Sequence, residues 1–192
     1  MRVACIDPAL SSGTTACLWA AVEPETNALY FYREYYESDL PVSDHARNIL
    51  LRSAGDLIDI WLIDPKGGAQ RTGDTYKSIQ SLYKEAGLPV KLAEVSEDYG
   101  IAASIEYMQA TTLYNSRHPK AFFFSDLAKF QWEISRYVWA HYGRGDLKGQ
   151  SKEKPIKRHD HLMNSYQYIC AARFKTRARY ELMTLEAKRE FS

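Results

Sequence analysis

Three aspartates stand where their side chains could act together on a substrate. Asp7 and Asp64 each follow an apolar run and precede a proline, in "RVACIDPA" and "DLIDIWLIDPKGG", and Asp160 lies in "KRHDHLMNSYQY". Carboxylates are hard oxygen ligands that suit Mg²⁺ or Mn²⁺, and three clustered acids would repel one another without a cation. Two such ions can activate a water and stabilise the leaving oxygen of a phosphodiester. The pattern therefore indicates metal-dependent phosphodiester chemistry.

Each acid also has a structural explanation when it is considered alone. An Asp-Pro pair commonly ends a strand in a turn. Asp160 suits the N-cap of a helix, whose positive end favours a carboxylate. The functional interpretation depends on all three acids occurring in this order, two on strands and one on a late helix. Asn164 lies four residues after Asp160 and shares its helix face, so it is an auxiliary candidate.

The elements that must position Asp7 and Asp64 are two strands. The run before Asp64 is continuously apolar, which is typical of a buried parallel strand. Alternation places Val3, Cys5 and Asp7 on one strand face, and Leu62 and Asp64 on one face of the other. If the strands are neighbours, both carboxylates emerge at the carboxyl edge of the sheet, where ligands bind in α/β proteins.

The remaining pattern predicts an α/β fold, a mixed β-sheet flanked by helices on both faces. "ACLWAAVE" and "ALYFYREYY" continue the first strand as a meander. Short strands are predicted at "PVKLAEV" and "AFFF". Helices are predicted over "PVSDHARNILLRSAG", "GDTYKSIQSLYKEAGL", "GIAASIEYMQATTLYNSR" and "SDLAKFQWEISRYVWAHYG", and from Asp160 onward as one long helix or a helix pair.

Composition favours a single globular domain. The chain has 192 residues, 45% hydrophobic and 26% charged, with three scattered cysteines that predict reduced thiols in a cytosolic setting. No signal peptide and no bilayer-spanning run is recognisable.

Charge is unevenly distributed along the chain. Between Arg144 and Arg179 ten basic residues face three acidic ones, 10 − 3 = +7, so the rest carries 1 − 7 = −6. This asymmetry indicates a surface for a polyanion, with a solvated basic helix and loop as the alternative.

Three motifs in order, "ACIDPALSSGTTAC", "WLIDPKGG" and "KPIKRHDHLMNSYQY", resemble the nuclease domain of the large terminase subunit of tailed bacteriophages. "EDYGIAASIEYMQ" and "FQWEISRYVWAHYG" add to the resemblance, which covers essentially the whole chain. It implies a ribonuclease H-like domain that cleaves double-stranded concatemeric viral DNA during genome packaging, with two Mg²⁺ or Mn²⁺ ions. The implied catalytic, metal-binding residues are Asp7, Asp64 and Asp160.

The resemblance also implies partners and a location. These are the terminase ATPase domain, the small terminase subunit and the portal protein, in the host cytoplasm rather than in the mature virion, with no membrane involved. Nothing matches the G-x-x-x-x-G-K-[ST] loop of an ATPase. We therefore expect residues 1–192 to form a single nuclease domain with the ATPase domain absent. Many family members carry an Asp where this chain has Asn164, which weakens the expected second metal site.

Residues around the last acid complete the predicted site. His159 and His161 could contact the scissile phosphate or position water, and they equally suit a solvated surface. Trp132, Tyr137 and Trp139 are predicted to pack in the core. The predicted phosphate contacts are Lys152, Lys154, Lys157 and Arg158.

Other functions remain open at the level of sequence. A RuvC-like Holliday-junction resolvase shares the fold and the opening "IDP", although its usual second acid is Glu. A non-catalytic DNA-binding scaffold of the same fold is the alternative from another class. An actin-like ATPase needs a longer chain and Gly-rich phosphate loops that this sequence lacks.

Overall fold

The structure, a computed structural model, describes residues 1–10, 12–71, 76–113, 116–141 and 150–174, without the side chains of 112, 113, 116 and 151–153. Its strands are β1 (Arg2–Asp7), β2 (Thr14–Val22), β3 (Leu29–Ser38), β4 (Ile60–Ile63), β5 (Lys91–Leu92), β6 (Thr111–Leu113), β7 (Ser116–His118), β8 (Ala121–Phe123), β9 (Trp139–His141) and β10 (Ser151–Pro155). Its helices are α1 (Val42–Arg52), α2 (Pro65–Ala69), α3 (Ile79–Glu85), α4 (Glu97–Met108), α5 (Ala128–Ile134) and α6 (His161–Ala171).

A mixed sheet of six strands forms the centre of the molecule, in the order β5-β4-β1-β2-β3-β8. The first three strands form the predicted antiparallel meander. Strand β4 lies parallel to β1, with Val3 opposite Ile60 and Ile6 opposite Ile63. This register confirms the expectation that the strands before Asp7 and Asp64 are neighbours.

Side-chain alternation along β1 divides the apolar residues into two cores, one on each sheet face. Val3 and Cys5 belong to the core that includes residues of α4, α5 and α6. Ala4 and Ile6 belong to the core that includes residues of α1 and α3. Helices therefore cover both faces, and the predicted fold class is confirmed.

Two predicted helices end earlier than their apolar spacing indicated. Helix α4 ends at Met108, and the β-branched pair Thr111–Thr112 that follows enters a hairpin of β6 and β7. Helix α5 ends at Ile134, and the segment from Trp139 pairs with β10 instead of continuing the helix. A short apolar run such as "YVWA" suits a strand as well as a helix turn, so strand pairing decides between them.

The helix predicted after Asp160 is α6, which ends at Ala171. The part of that prediction beyond residue 174 lies outside the described residues. Helix α2 follows Asp64 directly and was not predicted. In the described ranges no helix has the length and apolar character needed to cross a bilayer.

Candidate active site

Asp7 and Asp64 lie side by side at the carboxyl end of β1 and β4. The Asp64 N–H donates to the Ile6 carbonyl at 2.8 Å, which extends the parallel ladder to this point. Both side chains are buried, each residue being 8% exposed. Burial raises the pKa of Asp7, and the nearby charge of Asp64 raises it further, while His161 lowers it. The two carboxylates thus lie together in a site with little access to solvent, where a bound cation would stabilise the charged form of both.

Helix α6 covers Asp7 with two polar side chains. His161 Nδ1 donates to Oδ2 of Asp7 at 2.9 Å, and Asn164 Nδ2 donates to the same oxygen at 3.3 Å. The hydrogen bond to Asp7 raises the pKa of His161 although burial opposes it. Oδ1 of Asp7 accepts no hydrogen bond from any described residue, so one oxygen is available to a ligand.

Asp64 is held by its own following turn and by α6. Its Oδ2 accepts the Gly67 N–H, which caps α2, and its Oδ1 accepts the Tyr168 hydroxyl. A Cβ at Gly67 would lie 3.0 Å from that Oδ2 and from Pro8 Cγ, so the close approach requires glycine. Burial, followed by the bond to Asp64, raises the pKa of Tyr168. Tyr168 was not predicted, but its position four residues after Asn164 was an available signal.

Asp160 occupies the N-cap position of α6 but does not act as a side-chain cap. Its carboxylate is 8% exposed at the residue level, and Oδ2 is buried without a hydrogen-bond partner among the described atoms. The nearest cation is Lys157, whose Nζ lies 3.9 Å from Oδ2 and 2.6 Å from Glu97. The explanation that the Asp160 side chain caps the N–H groups of α6 is therefore wrong. A buried carboxylate oxygen left without a partner is expensive unless something binds it.

Glu133 supplies the missing cap of α6 from another helix. Its carboxylate accepts the N–H groups of His161, Leu162 and Met163 at 3.2, 2.8 and 3.0 Å, and the residue is 0% exposed. Burial raises the pKa of Glu133 to about 7, even though these N–H bonds lower it. Sequence gave no signal for this contact, because it joins residues 28 apart across two helices.

The three predicted acids do not form one compact metal cage. Within the described ranges no group of three or more His, Cys, Asp or Glu side chains is arranged to hold a metal ion. The sheet brings Asp7 and Asp64 together, and α6 sets His161 and Asn164 on Asp7, whereas the Asp160 carboxylate lies beside Lys157. The donor chemistry still fits Mg²⁺, which typically takes one or two carboxylates and completes its shell with water and phosphate.

Two of the four predicted phosphate contacts are engaged with acids. Lys157 pairs with Glu97, which lowers the pKa of that carboxyl, and Lys154 lies 3.9 Å from Asp98. The side chain of Lys152 lies outside the described part of the chain.

Arg158 is not paired with an acid in the described part of the chain, and the aromatic residues near it vary in exposure. Arg158 and His159 are exposed, and Arg158 Nε donates to His159 Nε2 at 3.3 Å. The prediction that Trp139 packs in the core was wrong, because this residue is 42% exposed. Trp132 and Tyr137 are half-buried.

The fold is similar to that of three solved nuclease domains from bacteriophages. The P22 large terminase nuclease domain superposes with a TM-score of 0.65 at 15% identity, covering 94% of this chain and 85% of that one. The nuclease domain of the SPP1 large terminase, g2p, with bound Mn gives 0.60 at 11%, covering 88% and 84%. The large terminase nuclease of thermophilic phage G20c with bound magnesium gives 0.54 at 12%, covering 90% and 82%.

Sequence comparison adds nothing to this structural likeness. No protein-family model matches the chain, and no curated protein sequence matches it. At these identities the likeness shows that the fold is that of large terminase nuclease domains.

Proposed function

We propose that this chain is a metal-dependent endonuclease that cleaves double-stranded DNA, acting as the nuclease domain of a large terminase subunit. One observation carries the proposal. Asp7 and Asp64 lie together, buried, at the carboxyl end of neighbouring parallel strands, in the fold of large terminase nuclease domains. Adjacent buried carboxylates are costly in a structure that does not use them, because each disfavours ionisation of the other.

The residues divide into ligands and residues that position them. Asp7 and Asp64 would hold one Mg²⁺ or Mn²⁺ ion, and Asp160, whose buried Oδ2 has no hydrogen-bond partner among the described atoms, would serve as the third catalytic acid and hold a second ion. His161 and Asn164 fix the rotamer of Asp7 through Oδ2, which keeps Oδ1 toward the ligand. The Tyr168 hydroxyl and the Gly67 N–H fix the rotamer of Asp64, one at each carboxylate oxygen. Two bound metal ions would supply Lewis acidity and an activated water for hydrolysis.

The choice of metal follows from the carboxylate ligands and from the relatives. Aspartate oxygens suit Mg²⁺ and Mn²⁺ and do not suit softer metals. The SPP1 domain was solved with Mn and a G20c domain with magnesium. Asn164 adds a carbonyl oxygen without charge, so the second ion should bind more weakly than the first.

The substrate and partners extend the same proposal. The substrate is concatemeric viral DNA in the host cytoplasm, contacted through phosphates by Lys152, Lys154, Lys157 and Arg158. Residues 1–192 act as one nuclease domain. It works with the terminase ATPase domain, the small terminase subunit and the portal protein.

Nicking of supercoiled plasmid DNA in Mn²⁺ tests the proposal. We expect the wild type to nick and linearise the plasmid, and Asp7→Asn, Asp64→Asn and Asp160→Asn each to abolish cleavage. Asp44→Asn on α1 removes the charge of a partly exposed acid on the other side of the sheet and serves as the matched control. If wild-type protein never cleaves, the non-catalytic scaffold replaces this proposal.

A substrate comparison separates the nuclease from a junction resolvase. Linear duplex and a four-way junction of the same arm sequences are digested side by side under the same conditions. The proposal predicts cleavage of the linear duplex. Cleavage restricted to the junction would favour the RuvC-like alternative.

A further inference from the structure

A second group of basic side chains lies along α5 and in the segment before α6. It consists of Lys129, Trp132 and Arg136, spaced three and four residues apart along α5 and the turn after it, with Arg158 and His159 from the segment before α6. We call these five residues the α5 face. Both of the α5 cations are exposed, and Trp132 is half-buried between them.

Aromatic rings hold the cations of the α5 face in place. The Arg136 guanidinium lies 4.9 Å from the centre of the Trp132 ring, and the His159 ring lies 5.0 Å from the same ring. The Lys129 ammonium lies 5.6 Å from the Tyr36 ring. Cation–π contacts of this kind order a charged side chain without neutralising it.

None of these cations is neutralised by an acid in the described part of the chain. Lys129, Arg136 and Arg158 form no ion pair there, whereas Lys66, Lys154 and Lys157 all pair with acids of α4.

Two carboxylates near the α5 face are already committed to helix caps. Glu34 accepts the N–H groups of Lys129 and Phe130, and buried Glu133 faces α6. Neither of these carboxylates forms an ion pair with Lys129 or Arg136 in the described part of the chain, so both side-chain cations can contact an external anion.

The α5 face borders a cleft with a volume of about 460 Å³, lined by Thr14, Tyr36, Ala128, Lys129, Trp132 and His159. One lining residue connects the cleft to the candidate active site, because the Tyr36 ring lies 6.1 Å from the ring of His161, which hydrogen-bonds to Asp7. A phosphate backbone lying in this cleft would pass close to His161.

We propose that the α5 face binds the phosphate backbone of duplex DNA next to the scissile bond, with Lys129 and Arg136 as phosphate contacts. This inference rests on the proposed function and replaces Lys157 with the α5 face as the main electrostatic contact. Because Lys157 must leave Glu97 before it can bind a phosphate, its gain on binding DNA is smaller. Lys129 and Arg136 sacrifice no ion pair.

Equilibrium binding of a labelled 30-base-pair duplex in EDTA, measured by fluorescence anisotropy across a salt series, tests the inference. The test variant is Lys129→Ala/Arg136→Ala. Its control is Arg47→Ala/Lys84→Ala, which removes the same two residue types from exposed positions on α1 and α3. These helices pack on the opposite face of the sheet. The two variants therefore have the same net charge and differ only in where the charges are removed.

We expect the test variant to bind more weakly and to lose about 2 from the slope of log K against log salt, since each phosphate contact contributes about 0.9. The control should keep the wild-type slope. Equal slopes for wild type and test variant, or an equal loss in both variants, would overturn the inference. Far-UV circular dichroism confirms that both variants are folded.

Plasmid nicking in Mn²⁺ by the same proteins separates this inference from the proposed function. Wild-type cleavage together with unchanged duplex binding by Lys129→Ala/Arg136→Ala refutes the α5 face and leaves the nuclease intact. Loss of duplex binding by that variant alone, in a protein that never cleaves, supports the α5 face and refutes the nuclease.

Discussion

The acids on the sheet and the acid on α6 are positioned by different means. Asp7 and Asp64 end two neighbouring strands, so backbone register alone puts their side chains together. Asp160 stands at the start of α6, and the N–H groups of that helix are capped by Glu133 of α5. The Asp160 carboxylate itself lies beside Lys157, which precedes the helix. The strand acids are therefore fixed by the backbone pairing of the central sheet, while the helix acid depends on a few long-range side-chain contacts.

This difference shows where the site is rigid and where it can adjust. Asp64 is hydrogen-bonded at both oxygens, and Asp7 at one. Asp160 Oδ2 has no described hydrogen bond, and its ion-pair partner is a half-exposed lysine. A cation arriving at the strand pair would find two ligands in place, whereas Asp160 has to exchange Lys157 for the cation.

Loss of a strand acid should have the largest effect on activity. Removing a group that only orients a metal ligand costs about 10- to 100-fold, so Asp7→Asn should lower the plasmid nicking rate by more than that. Its free energy of unfolding in EDTA at pH 8 should rise, because burial and Asp64 both disfavour the Asp7 charge. Urea unfolding measures the second effect, and a clear loss of stability would contradict it.

Removing the cap of α6 should have the next largest effect. In Glu133→Ala three N–H groups lose their acceptor, two of them buried and one partly buried, and each buried loss costs about 1–3 kcal/mol. We expect at least about 3 kcal/mol of destabilisation by urea unfolding, and a loss of nicking at temperatures where the variant is folded.

Ser78→Ala is the control for that variant, because Ser78 caps α3 on the other side of the sheet. It should cost about 1 kcal/mol and leave nicking unchanged. Full activity in folded Glu133→Ala would show that Asp160 and His161 do not depend on this cap.

An acid added to α6 would place a helix carboxylate directly against a strand carboxylate. Asn164 Nδ2 lies 3.3 Å from Oδ2 of Asp7, so Asn164→Asp places a second charge against it. We expect a loss of at least about 1 kcal/mol in EDTA at pH 8, and a larger rise of Tm with Mn²⁺ than the wild type shows. Asn164→Ala controls for the lost hydrogen bond. A Tm response equal to that of the wild type would exclude residue 164 from the metal shell.

Loss of Lys157 should have the smallest effect on stability. Its side chain is 53% exposed, and exposed ion pairs contribute about 0–1 kcal/mol. Because Lys157 lowers the pKa of Glu97, its contribution is present at pH 7 and is lost as the pH falls through the folded pKa of Glu97. Urea unfolding of wild type, Lys157→Ala and Lys154→Ala at pH 7 and at successively lower pH measures this. A difference between wild type and Lys157→Ala that does not shrink as the pH falls would contradict the ion-pair explanation.

The sheet part of the site was predictable from sequence for a local reason. An apolar run that ends in Asp-Pro marks both the strand and the last residue whose side chain leaves it. Two such runs then need only a parallel pairing of β1 and β4 to bring Asp7 and Asp64 together. The burial of α6 was also visible, since its apolar residues follow helical spacing.

The helix part of the site was not predictable, because its contacts join distant segments. Nothing in "FQWEISR" distinguishes buried Glu133 from a solvated glutamate until α5 packs against α6. The lysines of the basic segment looked free because their partners, Glu97 and Asp98, begin another helix. The exposed Trp139 was assigned to the core because its spacing fitted a helix that ends before it.

A crystal soaked in Mn²⁺ and measured for anomalous scattering tests the central claim most directly. We predict a peak in contact with carboxylate oxygens of both Asp7 and Asp64, and a weaker second peak toward Asp160. Absence of any Mn²⁺ peak at Asp7 and Asp64, in crystals that bind Mn²⁺ elsewhere or not at all, would contradict the metal-dependent site.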